Sequence, residues 1–423
     1  MSRFRCLLDL AGKSAWNRKS TLVLIVFSIA ISTTLLIGIE RVRSQLRESF
    51  VQAVSGTDLV VGARGSGLQL MLYAVFHMGG AANNMGWNSA QRIAAGNDVA
   101  WAVPVSLGDS HKGFPVVATT QDFFAHYRYQ RDKGLHFVQG APFTGIFDVV
   151  LGAETAKKTG YAPGHKLALS HGAGNSGRAE HADKPFAVTG ILAPTGTPVD
   201  NSLYISLEAM EAIHLDWQGG APIPGFHVQA EQAAKFDLTP KSITALLVGL
   251  KSRARVFAVQ RDINSGTGEA LMGVMPGVAL DQLWGMLHTG ESALLLISWL
   301  VTATGLAGLA SVILAGLGER RRELAILRSA GAGPWDVVTL LALEGILLML
   351  AGIVCGMLML AALIIGLGPV LAESYGIGLY LSPPESGEWV LLGSIAAAGF
   401  LASLIPALRA YRMSLADGLG ISR

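Results

Sequence analysis

The sequence predicts an α-helical membrane protein with four transmembrane helices and a large α+β extracytoplasmic domain inserted between helices 1 and 2. Three observations predict it. A hydrophobic fraction of 51%, a charged fraction of 15% and a mean hydropathy of +0.44 are too apolar for an ordinary soluble chain of 423 residues. That apolarity is concentrated in four windows, Ser20–Ile39, Ser292–Gly318, Val337–Leu367 and Trp389–Leu408, each long enough for the roughly 30 Å hydrocarbon core. Between Arg43 and Gly290 the composition is that of a globular domain.

The elements follow in chain order. In residues 1–19, Phe4, Leu7, Leu8, Ala11 and Ala15 share one helical face and Arg5, Asp9 and Lys13 lie elsewhere, which predicts a cytoplasmic amphipathic helix at the interface. Residues 20–55 are read as transmembrane helix 1 and a stalk. The uncharged run is too long for a signal-peptide core, and IERVR follows it where a cleavage site would need small residues. Val42, Leu46, Phe50, Ala53 and Val54 continue the apolar stripe as far as Gly56, giving a helix of roughly 54 Å at 1.5 Å per residue.

Residues 56–278 form the outer α+β domain. Its β-rich runs are TDLVVGA (57–63), FPVVATT (114–120), FDVVLGA (147–153), FAVTGIL (186–192), SLYISL (202–207), ITALLVGL (243–250) and ARVFAVQ (254–260), with a helical pattern at SLEAMEAIHL (206–215). The Gly-rich SHGAGNSGRAEHADKP (170–185) predicts a mobile loop and lacks a phosphate-cradling GxxxxGK[ST]. The Met-rich LQLMLYAVFHMGGAANNMGW (68–87) reads as core, or as a patch that grips lipid or a partner.

Residues 279–318 are read as the second stalk and transmembrane helix 2. There Leu280, Leu283, Trp284 and Leu287 lead into the span, unless His288–Thr289–Gly290 breaks the helix. A cytoplasmic coupling loop (319–336), transmembrane helix 3 (337–367), a short outer loop (368–388), transmembrane helix 4 (389–408) and a cytoplasmic tail (409–423) complete the chain. Lys and Arg set the orientation. Arg3, Arg5, Lys13, Arg18 and Lys19 precede the first span, Arg320, Arg321, Arg322 and Arg328 follow the second, and Arg409, Arg412 and Arg423 follow the fourth. The loop 368–388 has none, so both termini and the 319–336 loop are expected in the cytoplasm.

Several function classes are disfavoured. The net charge of +2, with no basic stripe, points away from nucleic acid. Cys6 and Cys355 both lie outside the globular region, so there is no disulfide framework. No spacing of nucleophile, base or paired carboxylates defends an enzyme, and no HExxH is present. The ten histidines all fall between His77 and His288, and His165, His171 and His181 gather in or near the Gly-rich stretch as candidate metal ligands. The plainer alternative is that histidines collect wherever the chain meets water.

Charge inside the spans is confined to Glu344, about 10 Å along its helix from Pro334 and so near the cytoplasmic interface. It reads as a structural or partner-facing contact. The segment GERRRELAILRSAGAGPWDVVTLLALEG (318–345) carries more than a positive-inside anchor requires. Arg320 and Glu323 are spaced to pair on a helix, Leu324 and Leu327 share an apolar side, and Gly331, Gly333 and Pro334 end it. A docking helix accounts for all of these together.

Those residues carry a resemblance. One span, a large outer domain and three further spans are accompanied by ERRRELAILRSAGA after span two, a Glu within span three and IPALRAYRMSLADGL at the C-terminus. Within the outer domain, VVLGAETAKKTGYAPGHKLAL, FAVTGILAPTG and NSLYISLEAM complete the pattern. The chain resembles the MacB/FtsX-type ABC transporter permeases, the type VII or mechanotransmission class. Ser414 stands where the family's C-terminal motif often has Pro.

The resemblance implies a permease homodimer in the bacterial inner membrane, with a separate cytoplasmic ABC ATPase subunit and the large domain in the periplasm. ATP and magnesium would sit on that ATPase, with no cofactor on this chain. By the same match Glu319, Arg320, Arg321, Arg322, Glu323, Leu324, Leu327, Arg328 and Gly331 would contact or position the ATPase. Relatives with a segment like LQLMLYAVFHMGG resemble a subgroup associated with zinc acquisition, which makes metal a candidate substrate class.

Three functional readings stand side by side. The first is a permease that moves a substrate in the periplasm or outer leaflet by ATP-driven mechanical work, with membrane lipid around its spans. The second is an ATPase-coupled scaffold that activates a periplasmic or lipoprotein partner such as a cell-wall hydrolase. The third is a secondary transporter with Glu344 as proton relay, which spans so poor in charge disfavour.

Overall fold

The computed structural model describes residues 19–80, 83–130, 132–172, 181–218, 221–319, 333–375, 379 and 381–411. The predicted amphipathic helix up to residue 18, the tail from residue 412 and the coupling residues Arg320 to Gly331 lie outside the described residues. The helices are α1 (Lys19–Gln52), α2 (Gly67–Ala74), α3 (Trp87–Ala94), α4 (Asp122–His126), α5 (Ala153–Thr159), α6 (Leu207–His214), α7 (Val256–Ser265), α8 (Pro276–Glu319), α9 (Pro334–Tyr375) and α10 (Ser386–Tyr411). The chain divides into two units. One comprises Met1–Gln45, His288–Ala372 and Ile377–Arg423, and the other Leu46–Leu287 with Glu373–Gly376.

The first unit is helical. Four helices, α1, α8, α9 and α10, are long and apolar enough to cross a membrane. They meet along Leu22, Ile25, Ile29 and Leu36 of α1, Leu309 and Ile313 of α8, Val337, Leu341 and Met349 of α9, and Ile395 and Ala407 of α10. Large apolar side chains such as Phe27, Leu300, Leu358, Ile365 and Leu401 point outward, an arrangement that lipid stabilises and water would not.

Small residues let backbones approach. A Cβ added at Gly356 would lie 2.8 Å from the Ala30 carbonyl oxygen, and one at Gly352 would lie 2.5 Å from Ile29, so α9 needs both glycines to seat on α1. A Cβ added at Gly393 of α10 would meet nothing within 4 Å. Two buried hydroxyls find helix carbonyls. Thr34 donates to the carbonyls of Ala30 and Gly356, at 2.8 and 2.9 Å, and Thr302 donates to Ser298 at 2.8 Å.

Among the ion pairs of this unit within the described residues, one is buried in its interior. The Arg41 guanidinium forks onto Glu388, with Nε 2.8 Å from Oε1 and Nη2 2.6 Å from Oε2. Both side chains are about 5% exposed or less (5% and 4%), so each charge depends on the other. Glu344 is also buried, on α9.

The second unit is built on a mixed sheet. Its strands are β1 (Leu59–Ala63), β2 (Val99–His111), β3 (Phe114–Thr119), β4 (Phe137–Gly140), β5 (Asp148–Leu151), β6 (Lys166–Leu167), β7 (Ser170–His171), β8 (Phe186–Leu192), β9 (Leu203–Ser206), β10 (Ala245–Leu250) and β11 (Leu271–Val274). They run in the order β11-β1-β10-β2-β3-β9-β5-β8-β4, with β7 paired to β2 and β6 to β8. The β9–β3 and β8–β5 pairs are parallel.

Successive residues serve opposite faces, as the period of two requires. Val60, Val117 and Leu247 enter one core with Met71 of α2 and Phe123 and Phe124 of α4. Leu59, Val61, Val116, Leu246 and Val248 enter the other with Ala90 of α3, Ala156 of α5 and Met210 and Ile213 of α6. Burial on both faces explains why these strands read as unbroken apolar runs.

Two expectations are corrected. ARVFAVQ (254–260) is not a strand. From Val256 it is helix α7, whose Val256, Val259 and Ile263 pack on the second core at helical spacing. The longest strand, β2, escaped prediction because Pro104 and Gly108 interrupt VAWAVPVSLGDSH. Residues 68–87 do supply core, through Met71, Ala74, Val75 and Phe76, while Met78 is exposed.

The C-terminal end of α1 and the N-terminal end of α8 are embedded in the first core of this unit. Ala53 and Val54 follow α1 and Ala279 and Leu280 lie on α8, joined there by Phe50, Leu283 and Trp284. Phe50 stacks near Phe76 at 4.5 Å between centroids and meets Trp284 edge-on at 6.0 Å. The Tyr127 hydroxyl donates to the Ala53 carbonyl at 2.6 Å. Helix α8 continues unbroken through His288–Thr289–Gly290.

Candidate functional site

Local structure brings four titratable side chains together at one end of β2. The register between β2 and β3 slips between Leu107 and Ser110, which places a bulge at Gly108–Asp109. The short strand β7 pairs with that stretch, so Ser170 faces Ser110 and His171 faces Asp109. Cross-strand neighbours share a side of the sheet, and the His171 Nδ1 lies 3.0 Å from Asp109 Oδ1.

His214 arrives from a third direction, as the last residue of α6. Its Nδ1 lies 2.8 Å from the Met210 carbonyl four residues earlier. A carbonyl can only accept, so Nδ1 carries the proton and the Nε2 lone pair faces the cluster, 3.1 Å from His171 Nδ1 and 3.6 Å from Asp109 Oδ2. His181 completes the group. Its backbone N–H donates to the Leu169 carbonyl at 2.8 Å, and its ring is fully enclosed. One ligand atom from each of Asp109, His171, His181 and His214 lies within 4.8 Å of every other.

The environment differs among the four. Burial pushes the His181 imidazole down to about 4, so it is neutral at neutral pH. The hydrogen bond that His171 donates to the Asp109 carboxylate raises its pKa, against the smaller opposing effect of burial. Asp109 is enclosed, whereas the side chains of His171 and His214 are 31% and 27% exposed, leaving the group one open edge. Trp217 walls it, 4.3 Å from the His181 ring centroid.

A second group, Asp183, Asp216 and His227, lies nearby in sequence. Here the Lys184 ammonium already occupies the middle, 2.9 Å from Asp183 Oδ2 and 2.7 Å from Asp216 Oδ1, and is fully enclosed. That cation offsets one of the two carboxylate charges and itself fills the position between them that a metal ion would need. Its contribution is to pin the turn after His181 to the chain just past His214.

Of the candidates read from sequence, His171 and His181 come together and His165 does not. His165 stacks on Tyr161 at 4.0 Å. The Gly-rich stretch was read as a loop, and residues 173–180 lie outside the described ones. Its flanks are fixed: His171 lies in a strand and His181 and Lys184 are buried. Asp109, His214 and Trp217 were not foreseen. Other histidines have separate roles. His111 reaches the Ala168 carbonyl and the Tyr161 hydroxyl, His126 stacks on Trp101, and His77 reaches the Ser202 hydroxyl at 2.9 Å.

Of the predicted coupling set only Glu319 is within the described residues, as the last residue of α8.

Two family models match the chain. The FtsX-like permease C-terminal model covers residues 295–415, and the MacB-like periplasmic core domain model covers residues 21–265. Among solved structures, the periplasmic region of MacB from Actinobacillus actinomycetemcomitans is similar at 11% identity, over 56% of this chain and 96% of that one, with a TM-score of 0.33. The extracellular domain of the noncanonic ABC-type transporter YknZ from Gram-positive bacteria is similar at 11% identity, over 52% of this chain and 99% of that one, with a TM-score of 0.30. No curated protein matches the chain.

Proposed function

The chain belongs to the MacB/FtsX-type ABC transporter permeases, and from that premise we propose that it transmits the ATP-driven motion of a partner ATPase to its outer domain. In this reading two copies sit in a bacterial inner membrane with both termini in the cytoplasm. Each is served by a separate ABC ATPase, which holds the ATP and magnesium. The permease itself carries no catalytic residues and no cofactor.

One observation carries the reading. Helices α1 and α8, of 34 and 44 residues, are each continuous. At 1.5 Å per residue they are about 51 and 66 Å long, well beyond a bilayer core. Their outer ends are fixed in an aromatic core, so a displacement of either helix along its axis must move that core or break it. The FtsX-like match across residues 295–415 includes the coupling segment, which supports assigning Glu319 to Gly331 to the ATPase contact.

The work done is the movement of a substrate in the periplasm or outer leaflet, and the subgroup likeness of LQLMLYAVFHMGG (68–80) supports a link to zinc acquisition. Two experiments test this. Purification of the native chain in mild detergent is expected to bring down an ABC ATPase in stoichiometric amount; recovery of the permease alone would count against the coupling. A deletion strain is expected to grow poorly under zinc limitation and to recover with added zinc. Equal growth of the two strains would remove the zinc link and leave the coupling standing.

A further inference from the structure

We propose that Asp109, His171, His181 and His214 form a binding site for a divalent transition ion of the zinc class, open to the solvent side of the outer domain. The first ground is the state of His181. Its ring is fully enclosed, yet neither Nδ1 nor Nε2 has a hydrogen-bond partner, and Asp109 Oδ2 is buried without one as well. Buried polar atoms are almost always paired. Two such residues facing one another are what a missing cation would satisfy.

The second ground is geometry. Tetrahedral zinc with bonds of 2.0–2.1 Å separates its ligand atoms by about 3.3 Å. The separations 3.1 Å, from His171 Nδ1 to His214 Nε2, and 3.6 Å, from His214 Nε2 to Asp109 Oδ2, bracket that value, and one ligand atom of each of the four residues lies within 4.8 Å of the others. Binding replaces the His171–Asp109 hydrogen bond and draws the His181 ring nitrogen, within 4.8 Å of the other ligand atoms, to bonding distance.

The third ground is orientation. Metal-bound histidines commonly donate their other ring N–H to a carbonyl, which aims the free lone pair at the ion. His214 does this through Met210. Its neighbour Asp216 holds Lys184, which fixes the turn carrying His181.

The donor set decides the ion. Three imidazoles and one carboxylate suit zinc, cobalt, nickel or copper, whereas calcium and magnesium require oxygen-rich shells. The half-exposed His171 and His214 form the open edge by which an ion enters and leaves, so the site is exchangeable. A bound ion would tie the bulge of β2 to the end of α6. The assignment rests on coordination chemistry alone. Its failure would leave the ATPase-coupled permease intact, and the converse also holds.

The test uses the full chain, without an affinity tag of histidines, purified in detergent and stripped with a chelator. Cobalt(II) is titrated and followed by its ligand-field absorption, and zinc is then competed against a chromophoric chelator. One equivalent per chain is expected, with the intense absorption of a four-coordinate ion. His181→Ala and His214→Gln are each expected to weaken zinc binding by more than the 10–100-fold typical of losing an outer-shell partner. His165→Ala should bind as the native chain does. His214→Gln lies on the exposed rim, so it reports on binding even if His181→Ala fails to fold. Absence of stoichiometric binding, or equal affinity in His214→Gln and the native chain, would overturn the proposal.

Discussion

Replacing Arg322 and Arg328 together by Glu is expected to separate the permease from its ATPase while leaving the outer domain folded. Both arginines lie in the segment joining α8 to α9, on the side to which the positive charge of the short loops points. On the proposed reading, Arg320, Arg321, Arg322 and Arg328 with Leu324 and Leu327 would dock on an acidic, partly apolar surface of the ATPase. Reversing two of its charges sets like charge against like, which costs several kcal/mol and weakens binding by roughly a hundredfold or more. Co-purification of the ATPase and permease-dependent ATP hydrolysis should both be lost. The outer unit has its own two cores and should keep its resistance to proteolysis. Unchanged assembly and activity would show that the segment is only a topological anchor.

Replacing Lys184 by Met is expected to destabilise the outer domain by about 3–5 kcal/mol, the range seen when one partner of a buried ion pair is removed. Met fills nearly the same space, so the loss is electrostatic. Asp216, only 2% exposed, would keep its bonds from the Val228 N–H and His227 but lose its cation. The same pair predicts a pH dependence. Burial works to raise Asp216, but the Lys184 hydrogen bond, with those from Val228 and His227, overcomes it and holds the carboxyl below its ordinary 3.8.

A carboxyl depressed on folding contributes stability that is present above its unfolded value and lost as pH falls through the folded one. This increment therefore starts to decline as pH falls below about 4 and is gone once pH is below the depressed folded value, and Lys184→Met should lack it. Thermal unfolding of the full chain in detergent at neutral and acid pH measures both effects. Native-like stability in Lys184→Met would mean that the enclosed ammonium contributes nothing.

The membrane spans were legible because lipid demands an unbroken apolar run that no soluble domain of this composition needs. The strands at Leu59–Ala63 and Ala245–Leu250 were legible for a related reason, since both their faces are buried. Strand β2 was obscured by Pro104, whose ring removes a ladder donor. Its carbonyl instead accepts from the Thr119 hydroxyl at 2.7 Å. ARVFAVQ looked extended because Val and Phe favour strands, and only packing at Val256, Val259 and Ile263 decides for a helix.

The metal group was half legible. His171 and His181 stood out in a Gly-rich stretch. Asp109 and His214 could not, because a one-residue bulge and the C-terminal end of a helix bring them in, and neither leaves a local pattern. Spacing along the chain carries no trace of a ligand set assembled by sheet register.

The central claim is that ATP binding by the partner displaces α1 and α8 and so strains the outer core. Hydrogen exchange of the complex in lipid nanodiscs, compared between a non-hydrolysable ATP analogue and ADP, tests it most directly. The account predicts nucleotide-dependent changes in protection at residues 46–54 and 276–287, where Phe50, Ala53, Leu280 and Trp284 meet. Identical protection of the outer unit in both nucleotide states, with the ATPase bound, would contradict it.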